Sequence, residues 1–243
     1  MMDYAQPIME TIARNLQQVQ SRMAGACAAA QRPVQSVTLL AVSKTFGVQA
    51  VREAFAAGQR RFGENYVQEA LAKIEALSDL RSQLEWHLIG PLQSNKTRVV
   101  AETFDWVHTV DRLKTAQRLS EQRPAHLPPL QLCLQVNISG EASKSGVALG
   151  EVGALAYEIS RLPRVALRGL MAIPEPEEGF EAQRRPHRHL RELMERLRQQ
   201  GLALDTLSMG MSADLEAAIA EGSTLVRVGS AIFGARPPMA GHR

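Results

Sequence analysis

Along the chain, short runs of apolar and β-branched residues alternate with longer segments in which apolar residues recur every three or four positions. Short continuous runs are typical of buried strands, and the wider spacing is typical of amphipathic helices. The first such segment predicts a leading helix from about residue 8 to residue 30, which ends before Pro33. Its apolar face contains Ile12, Leu16, Val19 and Met23.

Eight strand-like runs follow this helix, and helical material comes after each of them. The strands are predicted at Thr38–Val42, Arg61–Gly63, Leu84–Ile89, Trp106–Thr109, Leu130–Val136, Val165–Met171, Thr206–Ser208 and Leu225–Val228. The longer helices are predicted at Val48–Ala57, Val67–Leu80, Asn95–Thr103, Arg112–Gln122, Leu149–Leu162, Phe180–Gln200 and Ala213–Glu221. This alternation predicts an α/β protein, a single (β/α)8 TIM-type barrel with an extra N-terminal helix.

An open, doubly wound sheet is the alternative architecture. It requires a glycine fingerprint after its first strand, and the segment Ser43-Lys44-Thr45-Phe46-Gly47 does not provide one. We therefore expect one domain over residues 1–243, with the barrel itself from about residue 37 to residue 234.

Composition narrows the classes of function. The 243 residues are 45% hydrophobic and 22% charged, as expected of a soluble globular protein. A net charge of +3 suits a small anionic ligand but not nucleic acid, which requires a dense basic stripe. Cys27 and Cys133 are far apart, so we expect no metal site and no disulfide framework. We also expect no signal peptide, no membrane span and a cytoplasmic location.

Lys44 is the first residue whose position indicates chemistry. It directly follows the first predicted strand, so its amine would lie at the mouth of a buried sheet. Poor hydration there, or a second cation nearby, would lower the pKa of an amine and free it for Schiff-base formation. The alternative is a solvated loop lysine.

Glycine and serine residues follow the last two strands, where barrels often hold phosphate. Glycine allows close backbone approach, serine offers a hydroxyl, and the N–H groups that begin a helix attract an anion. Either loop alone is consistent with an ordinary helix cap, but together they favour a phosphate site. Its candidate residues are Ser208, Gly210, Met211, Ser212, Gly229 and Ser230.

Arg227 lies inside the last predicted strand, between two valines. Alternation along the strand puts it on the same face as Leu225 and Gly229. An arginine that points into a barrel needs a partner or a ligand, whereas one on the helix-facing side would need neither.

A series of segments, in order over nearly the whole chain, carries a specific resemblance. They are Ala41-Val42-Ser43-Lys44-Thr45, the run from Phe62 to Glu69, the run from Trp86 to Lys96, Val136-Asn137-Ile138, Lys144-Ser145-Gly146, Gly169-Leu170-Met171-Ala172-Ile173, Ser208 to Asp214 and Val226 to Gly234. With these segments the chain resembles the pyridoxal phosphate homeostasis family, single-domain proteins similar to the N-terminal barrel of alanine racemase.

The resemblance implies pyridoxal 5′-phosphate (PLP) held as a Schiff base on Lys44, with its phosphate in the Ser208–Ser212 and Gly229-Ser230 loops. By analogy with the racemase barrel, Arg227 would face the pyridine nitrogen. A permanent cation there disfavours protonation of the ring and makes it a weaker electron sink.

Asn65, His87 and Asn137 fall at or just after strand ends and are predicted to line the pocket. His87 is equally consistent with a hydrogen-bonded core histidine. Lys144 can be read as a transient acceptor of the aldehyde or as a solvated loop lysine.

The resemblance implies a PLP binder that stores, buffers or transfers the cofactor, with apo PLP-dependent enzymes as recipients and a monomeric state. A PLP-dependent amino-acid racemase is the alternative, but it requires bases on both faces of the substrate carbon. The racemase family takes its second base, a tyrosine, from a further domain, for which the chain leaves no room. A lyase that condenses Lys44 with a sugar phosphate explains the lysine and the phosphate loops, but not Arg227.

Overall fold

A computed structural model of the chain describes residues 6–141 and 144–235, with side chains from residue 11 onward. Nine strands are assigned within these ranges: β1 Thr38–Val42, β2 Arg61–Glu64, β3 Glu85–Leu88, β4 Trp106–Val110, β5 Leu130–Asn137, β6 Val147–Ala148, β7 Val165–Met171, β8 Thr206–Ser208 and β9 Leu225–Val228. All of their pairings are parallel. Because β1 pairs with β9 and β4 pairs with β5, eight strands close into a barrel, which confirms the predicted fold.

Helices surround the barrel and alternate with its strands. Within the described ranges they are α1 Gln6–Ala29, α2 Val48–Ala56, α3 Val67–Ala76, α4 Thr97–Thr103, α5 Leu113–Gln122, α6 Val152–Ser160, α7 Phe180–Gln199, α8 Leu215–Ala220 and α9 Ser230–Phe233. None of the helices in this part of the chain is long and apolar enough to cross a membrane.

The structure departs from the predicted elements in a few places. The helix predicted to reach Leu80 ends at Ala76, and a 3-10 segment, Ser78–Gln83, continues the chain. The helix predicted from Leu149 also begins with a 3-10 turn, and its α-helical part starts at Val152. The two-residue strand β6, which pairs with the end of β5, was not predicted.

The leading helix α1 packs against α2, α8 and α9 through the apolar face predicted for it, whose four residues are all buried. Polar contacts also hold it there. Asn15 Nδ2 donates to Ile232 O over 2.9 Å, and the Arg22 guanidinium pairs with Glu216. The leading helix thus supports α8 and α9, the two helices that follow the predicted phosphate loops.

Side chains fill the barrel interior in layers that are stacked along the barrel axis. Leu40, Val42, Ile89 and Leu225 form one apolar cluster inside it. Gly63 completes this level, because a Cβ built on it would lie 3.0 Å from the Ile89 side chain. Above this level, toward the carboxyl ends of the strands, side chains from several loops converge on a cavity.

Candidate functional site

A cavity of about 310 Å³ opens at the carboxyl ends of the strands. Lys44 and Asn65 enter it from the ends of β1 and β2, and Ser212 and Ser230 enter from the loops after β8 and β9. The predicted reactive lysine and the predicted anion loops, about 170 positions apart in sequence, therefore line a single cavity.

The turn that carries Lys44 is held from outside the barrel. Thr45, the next residue, has a φ of 69°, in the left-handed region that costs a non-glycine residue of the order of 1 kcal/mol or more. Its N–H donates to Glu69 Oε1 over 2.6 Å, which fixes the turn in this conformation. Lys44 itself is half-buried, at the border between the filled interior and the cavity.

A buried charge network lies behind this turn, between the barrel and α3. Lys73 Nζ donates to Ser43 O over 2.8 Å, to Glu64 Oε1 over 2.8 Å and to Glu69 Oε1 over 2.7 Å. Burial raises the pKa of Glu64, and the charge of Lys73 opposes that rise. The network ties the backbone just before Lys44 to a helix, and it was not predicted from the sequence.

On the opposite wall, the loop after β8 turns sharply into α8. Gly210 has a φ of 93°, and a Cβ built on it would lie 2.4 Å from Ala218 Cβ, so no larger residue fits. The Met211 N–H donates to Asp214 Oδ1 over 2.7 Å, and the His187 ring contacts the other carboxylate oxygen at 2.9 Å. These bonds give the loop a defined shape.

The electrostatics of Asp214 match its role as the anchor of this loop. Burial alone would raise the pKa of Asp214, but hydrogen bonds from His187 and from the Met211 N–H outweigh burial. The pKa of Asp214 is therefore held below its ordinary value. The carboxylate stays ionised at neutral pH and keeps accepting both hydrogen bonds.

The loop after β9 lines the cavity next to the loop after β8. A Cβ on Gly229 would approach the Val42 carbonyl oxygen to 3.2 Å, so the close contact between this loop and β1 favours glycine. Ser230 begins α9, and the first N–H groups of a helix lack acceptors within the helix. This end of the cavity therefore presents backbone donors and a hydroxyl.

Arg227 is 4% exposed and lines the cavity from inside the barrel, as strand alternation predicted. Its guanidinium donates to Ser208 O over 2.6 Å, to Ser208 Oγ over 2.7 Å and to Ala172 O over 2.9 Å. Burial lowers the pKa of Arg227 to about 10, which leaves the group charged at neutral pH. The cavity thus contains a fixed cation on the side that faces the barrel interior.

Four residues that the sequence predicted for the pocket do not line it. One is Asn137, whose side chain instead bonds the backbone of its own loop, at Gly140 and Glu141. Ser208 faces the barrel interior, where it holds Arg227, and Gly210 shapes the loop from behind. His87 is fully buried below the cavity and is hydrogen-bonded to His108 and Glu85. For His87 the structure favours the alternative of a core histidine, because β3 begins at Glu85 and places residue 87 in the middle of the strand.

Met211 lines the cavity as expected, together with apolar residues that were not predicted. These are Val42, Phe46, Ile89 and Ile173. Val42 and Ile89 could have been found from strand alternation, because they share a face with the interior residues of β1 and β3. Phe46 stacks on Phe233 with ring centroids 5.1 Å apart, a pairing that no sequence signal marks.

Lys144 lies outside the cavity lining. It is exposed and forms an ion pair with Glu175, from the loop after β7. The hydrogen bond to this carboxylate raises the pKa of Lys144. The contact joins the loops after β5 and β7 at the rim of the barrel.

Comparison with known proteins places the chain in a family. Residues 9–237 match the family model of the alanine racemase N-terminal domain. The pyridoxal phosphate homeostasis protein of Pseudomonas aeruginosa is 62% identical over 228 residues, which cover 94% of this chain and 97% of that protein. This chain belongs to the pyridoxal phosphate homeostasis protein family.

Other members and solved structures agree with the family assignment. The pyridoxal phosphate homeostasis protein of Escherichia coli K12 is 54% identical over 229 residues, 94% of this chain and 98% of that protein. PipY of Synechococcus elongatus PCC7942, solved with PLP bound, is 42% identical with a TM-score of 0.81, and the match covers 92% of this chain and 100% of PipY. An alanine racemase of Clostridium difficile shares the fold, with a TM-score of 0.73 at 14% identity over 95% of this chain and 58% of that enzyme.

The segments that carry the family resemblance converge in the structure. Those around Lys44, Asn65, Ser212 and Ser230 meet at one cavity, although they lie on four separate strand ends. The cavity is therefore built from segments that lie far apart in the sequence.

Proposed function

We propose that this protein binds pyridoxal 5′-phosphate and serves the homeostasis of that cofactor inside the cell, by storage, buffering or transfer. The cofactor is held covalently on Lys44. The observation that carries this proposal is the shared cavity, in which an amine, a fixed cation and two loops rich in backbone donors face one another. The names of the relatives and the PLP-bound PipY structure support the same ligand.

The residues at the cavity fit this ligand. Its volume of about 310 Å³ falls at the lower end of small-molecule sites, which range from about 300 to 1,000 Å³. Asn65 Oδ1 is buried without a hydrogen-bond partner at the cavity wall, so a polar ligand would satisfy it. Gly229 lets the loop after β9 approach β1 closely at the cavity, because even a Cβ there would lie 3.2 Å from the Val42 carbonyl oxygen.

Bound pyridoxal phosphate supplies an aldehyde that condenses with an amine and a ring that withdraws electrons. Lys44 provides the amine. Ser212, Ser230 and the N–H groups beside them bind the phosphate, because they form the donor-rich wall of the cavity. Arg227, which stays charged, would hold the ring nitrogen, and a permanent cation there would disfavour protonation of that nitrogen and weaken the ring as an electron sink.

The same geometry favours binding over racemisation. Racemisation requires proton carriers on both faces of the substrate carbon. In the described part of the chain, Lys44 and Arg227 are the ionisable residues that line the cavity. The Arg227 guanidinium stays charged at neutral pH and already donates three hydrogen bonds to Ser208 and Ala172, so it does not provide a second base. Tyr66 and Tyr157 are more than half exposed and lie outside the cavity lining. An assay for D/L interconversion of amino acids should therefore show no turnover at ordinary enzyme rates.

The proposal is tested by titrating the protein with PLP and with pyridoxal, which lacks the phosphate. The wild type should develop a visible absorbance band with PLP and bind pyridoxal at least about tenfold more weakly, because the phosphate wall is left empty. Lys44→Ala should lose the band, whereas Lys114→Ala, at an exposed position on α5, should keep it. An unchanged band in Lys44→Ala would reject Lys44 as the attachment site.

Two finer expectations belong to the same proposal. Apo PLP-dependent enzymes are the recipients of the cofactor, and the protein acts as a monomer. Mixing the PLP-loaded protein with an apo-enzyme should restore that enzyme's activity faster than the free cofactor does at equal concentration. Light scattering during size-exclusion chromatography should give a mass near 26.7 kDa.

A further inference from the structure

A continuous chain of hydrogen bonds runs through the barrel interior from the cavity to the opposite end. Arg227 Nη1 donates to Ser208 Oγ over 2.7 Å, and Ser208 Oγ lies 2.8 Å from His108 Nδ1. His108 Nε2 lies 2.8 Å from His87 Nδ1. His87 Nε2 lies 2.8 Å from Glu85 Oε1. Glu85 is the first residue of β3, at the far end of the barrel from the cavity.

Both ends of this chain have a fixed role. A guanidinium can only donate, so Ser208 Oγ accepts from Arg227. An ionised carboxylate can only accept, so His87 Nε2 carries a proton and donates to Glu85. With both rings neutral, His87 Nδ1 accepts from His108 Nε2–H, and His108 Nδ1 accepts the single hydroxyl proton of Ser208. Every bond therefore points from Arg227 toward Glu85.

The burial and charge of the members support this assignment. Ser208, His108 and His87 are fully buried, and the Glu85 side chain is 37% exposed. Burial lowers the pKa of both histidines, and for His108 the neighbouring His87 and Arg227 lower it further. Burial raises the pKa of Glu85, but its bond with His87 and the charge of Arg61 outweigh burial, so that pKa lies below its ordinary value.

We propose that Glu85 is a positioning residue for Arg227, acting across the barrel through His87, His108 and Ser208. Its carboxylate fixes the tautomers of the two histidines and therefore the direction of the Ser208 hydroxyl proton. The Ser208 oxygen then keeps its lone pair toward the guanidinium, which holds Arg227 in the orientation that meets the ligand. The effect of Glu85 on ligand binding rests on the proposed function, whereas the tautomers of His87 and His108 are independent of it.

The first test uses the ligand-free protein and ¹⁵N NMR of the histidine rings. At pH 7 His87 and His108 should both be neutral, with the proton on Nε2. A proton on Nδ1 of either ring, or a charged ring, would overturn the proposed direction of the chain. Since no cofactor is present, this outcome is independent of whether the protein binds pyridoxal phosphate.

The second test is a double-mutant cycle on PLP affinity between Glu85→Leu and Ser208→Ala. Glu85→Leu should weaken PLP binding by about tenfold in the wild-type background. In the Ser208→Ala background the same substitution should change PLP affinity by less than about twofold, because the chain of hydrogen bonds is already interrupted at Ser208. An effect of equal size in both backgrounds, or no effect in the wild type, would reject the coupling.

Matched variants separate this role from a structural one. Glu85→Gln keeps an acceptor oxygen and should retain affinity within about twofold of the wild type. Arg61→Ala removes the surface ion pair that Arg61 forms with Glu85 at 3.2 Å but leaves the chain intact, so it should also retain affinity. If Arg61→Ala matched Glu85→Leu, surface charge rather than the interior chain would explain the loss, and the proposal would be wrong.

Discussion

Replacing Lys73 with methionine tests the buried network behind the Lys44 turn. The Lys73 side chain is 5% exposed and its amine donates to Ser43, Glu64 and Glu69 at 2.7–2.8 Å. Methionine keeps most of the side-chain volume but removes the charge and all three donors. Glu64, whose side chain is fully buried, would then have no cation beside it.

The expected loss of stability is large. Removing one partner of a buried ion pair costs about 3–5 kcal/mol, because the remaining charge is left uncompensated. For a chain of this length, each kcal/mol lowers the melting temperature by about 2–4 °C, so Lys73→Met should melt about 6–20 °C below the wild type. Lys114→Met, the same change at an exposed helical position, should stay within about 0.5 kcal/mol of the wild type.

The loss should also depend on pH, with a defined sign. Without Lys73, burial raises the folded-state pKa of Glu64 further above its unfolded value. A carboxyl group with a raised folded pKa loses stability as pH rises above the unfolded pKa of about 4.3. The deficit of Lys73→Met relative to the wild type should therefore be smaller near pH 5 than near pH 8.

Equilibrium urea unfolding at both pH values, followed by circular dichroism, measures these differences. The double variant Lys73→Met with Glu64→Gln should recover a substantial part of the loss, because no buried charge is left without a partner. A loss below about 1 kcal/mol in the single variant, or one that grows toward pH 5, would refute the reasoning.

Three further predictions concern the opposite wall of the cavity. Gly210→Ala should destabilise the protein by about 1–3 kcal/mol in thermal denaturation, because of its φ of 93° and the contact with α8, whereas Gly150→Ala, with no atom within 4 Å, should have little effect. Asp214→Ala should destabilise the protein by about 1–3 kcal/mol at pH 7. Because the pKa of Asp214 is lower in the folded than in the unfolded protein, its carboxylate stabilises the fold only above the unfolded pKa. Urea unfolding should therefore show the deficit of the variant shrinking as pH falls below about 4. Ser230→Ala should weaken PLP by about fivefold or more in equilibrium titration and leave pyridoxal affinity unchanged.

The barrel could be predicted because its strands are short apolar runs separated by clear helical periods. Thr38–Val42 and Val165–Met171 occur as predicted, since buried parallel strands need apolar residues on both faces. The third helix was predicted too long because Ser78 and Asp79 favour turns over helix interiors, and the chain changes to a 3-10 segment there.

The site could be predicted only in part. Arg227 was found because strand alternation decides which face a side chain occupies. Alternation does not tell at which level of the barrel the side chain lies, and for this reason His87 was predicted at the cavity although it lies below it. The charge network behind Lys44 has one signal in the sequence, because Lys73 falls on the same face of α3 as the buried Val67 and Ala70.

The attachment of PLP to Lys44 is the central claim, and peptide mapping tests it most directly. The PLP-loaded protein is reduced with borohydride, digested and analysed by mass spectrometry. The pyridoxyl group should be found on Lys44 in proportion to the cofactor bound, and not on Lys73, Lys96, Lys114 or Lys144. A label distributed over those lysines, or one that stays unchanged in Lys44→Ala, would contradict the account.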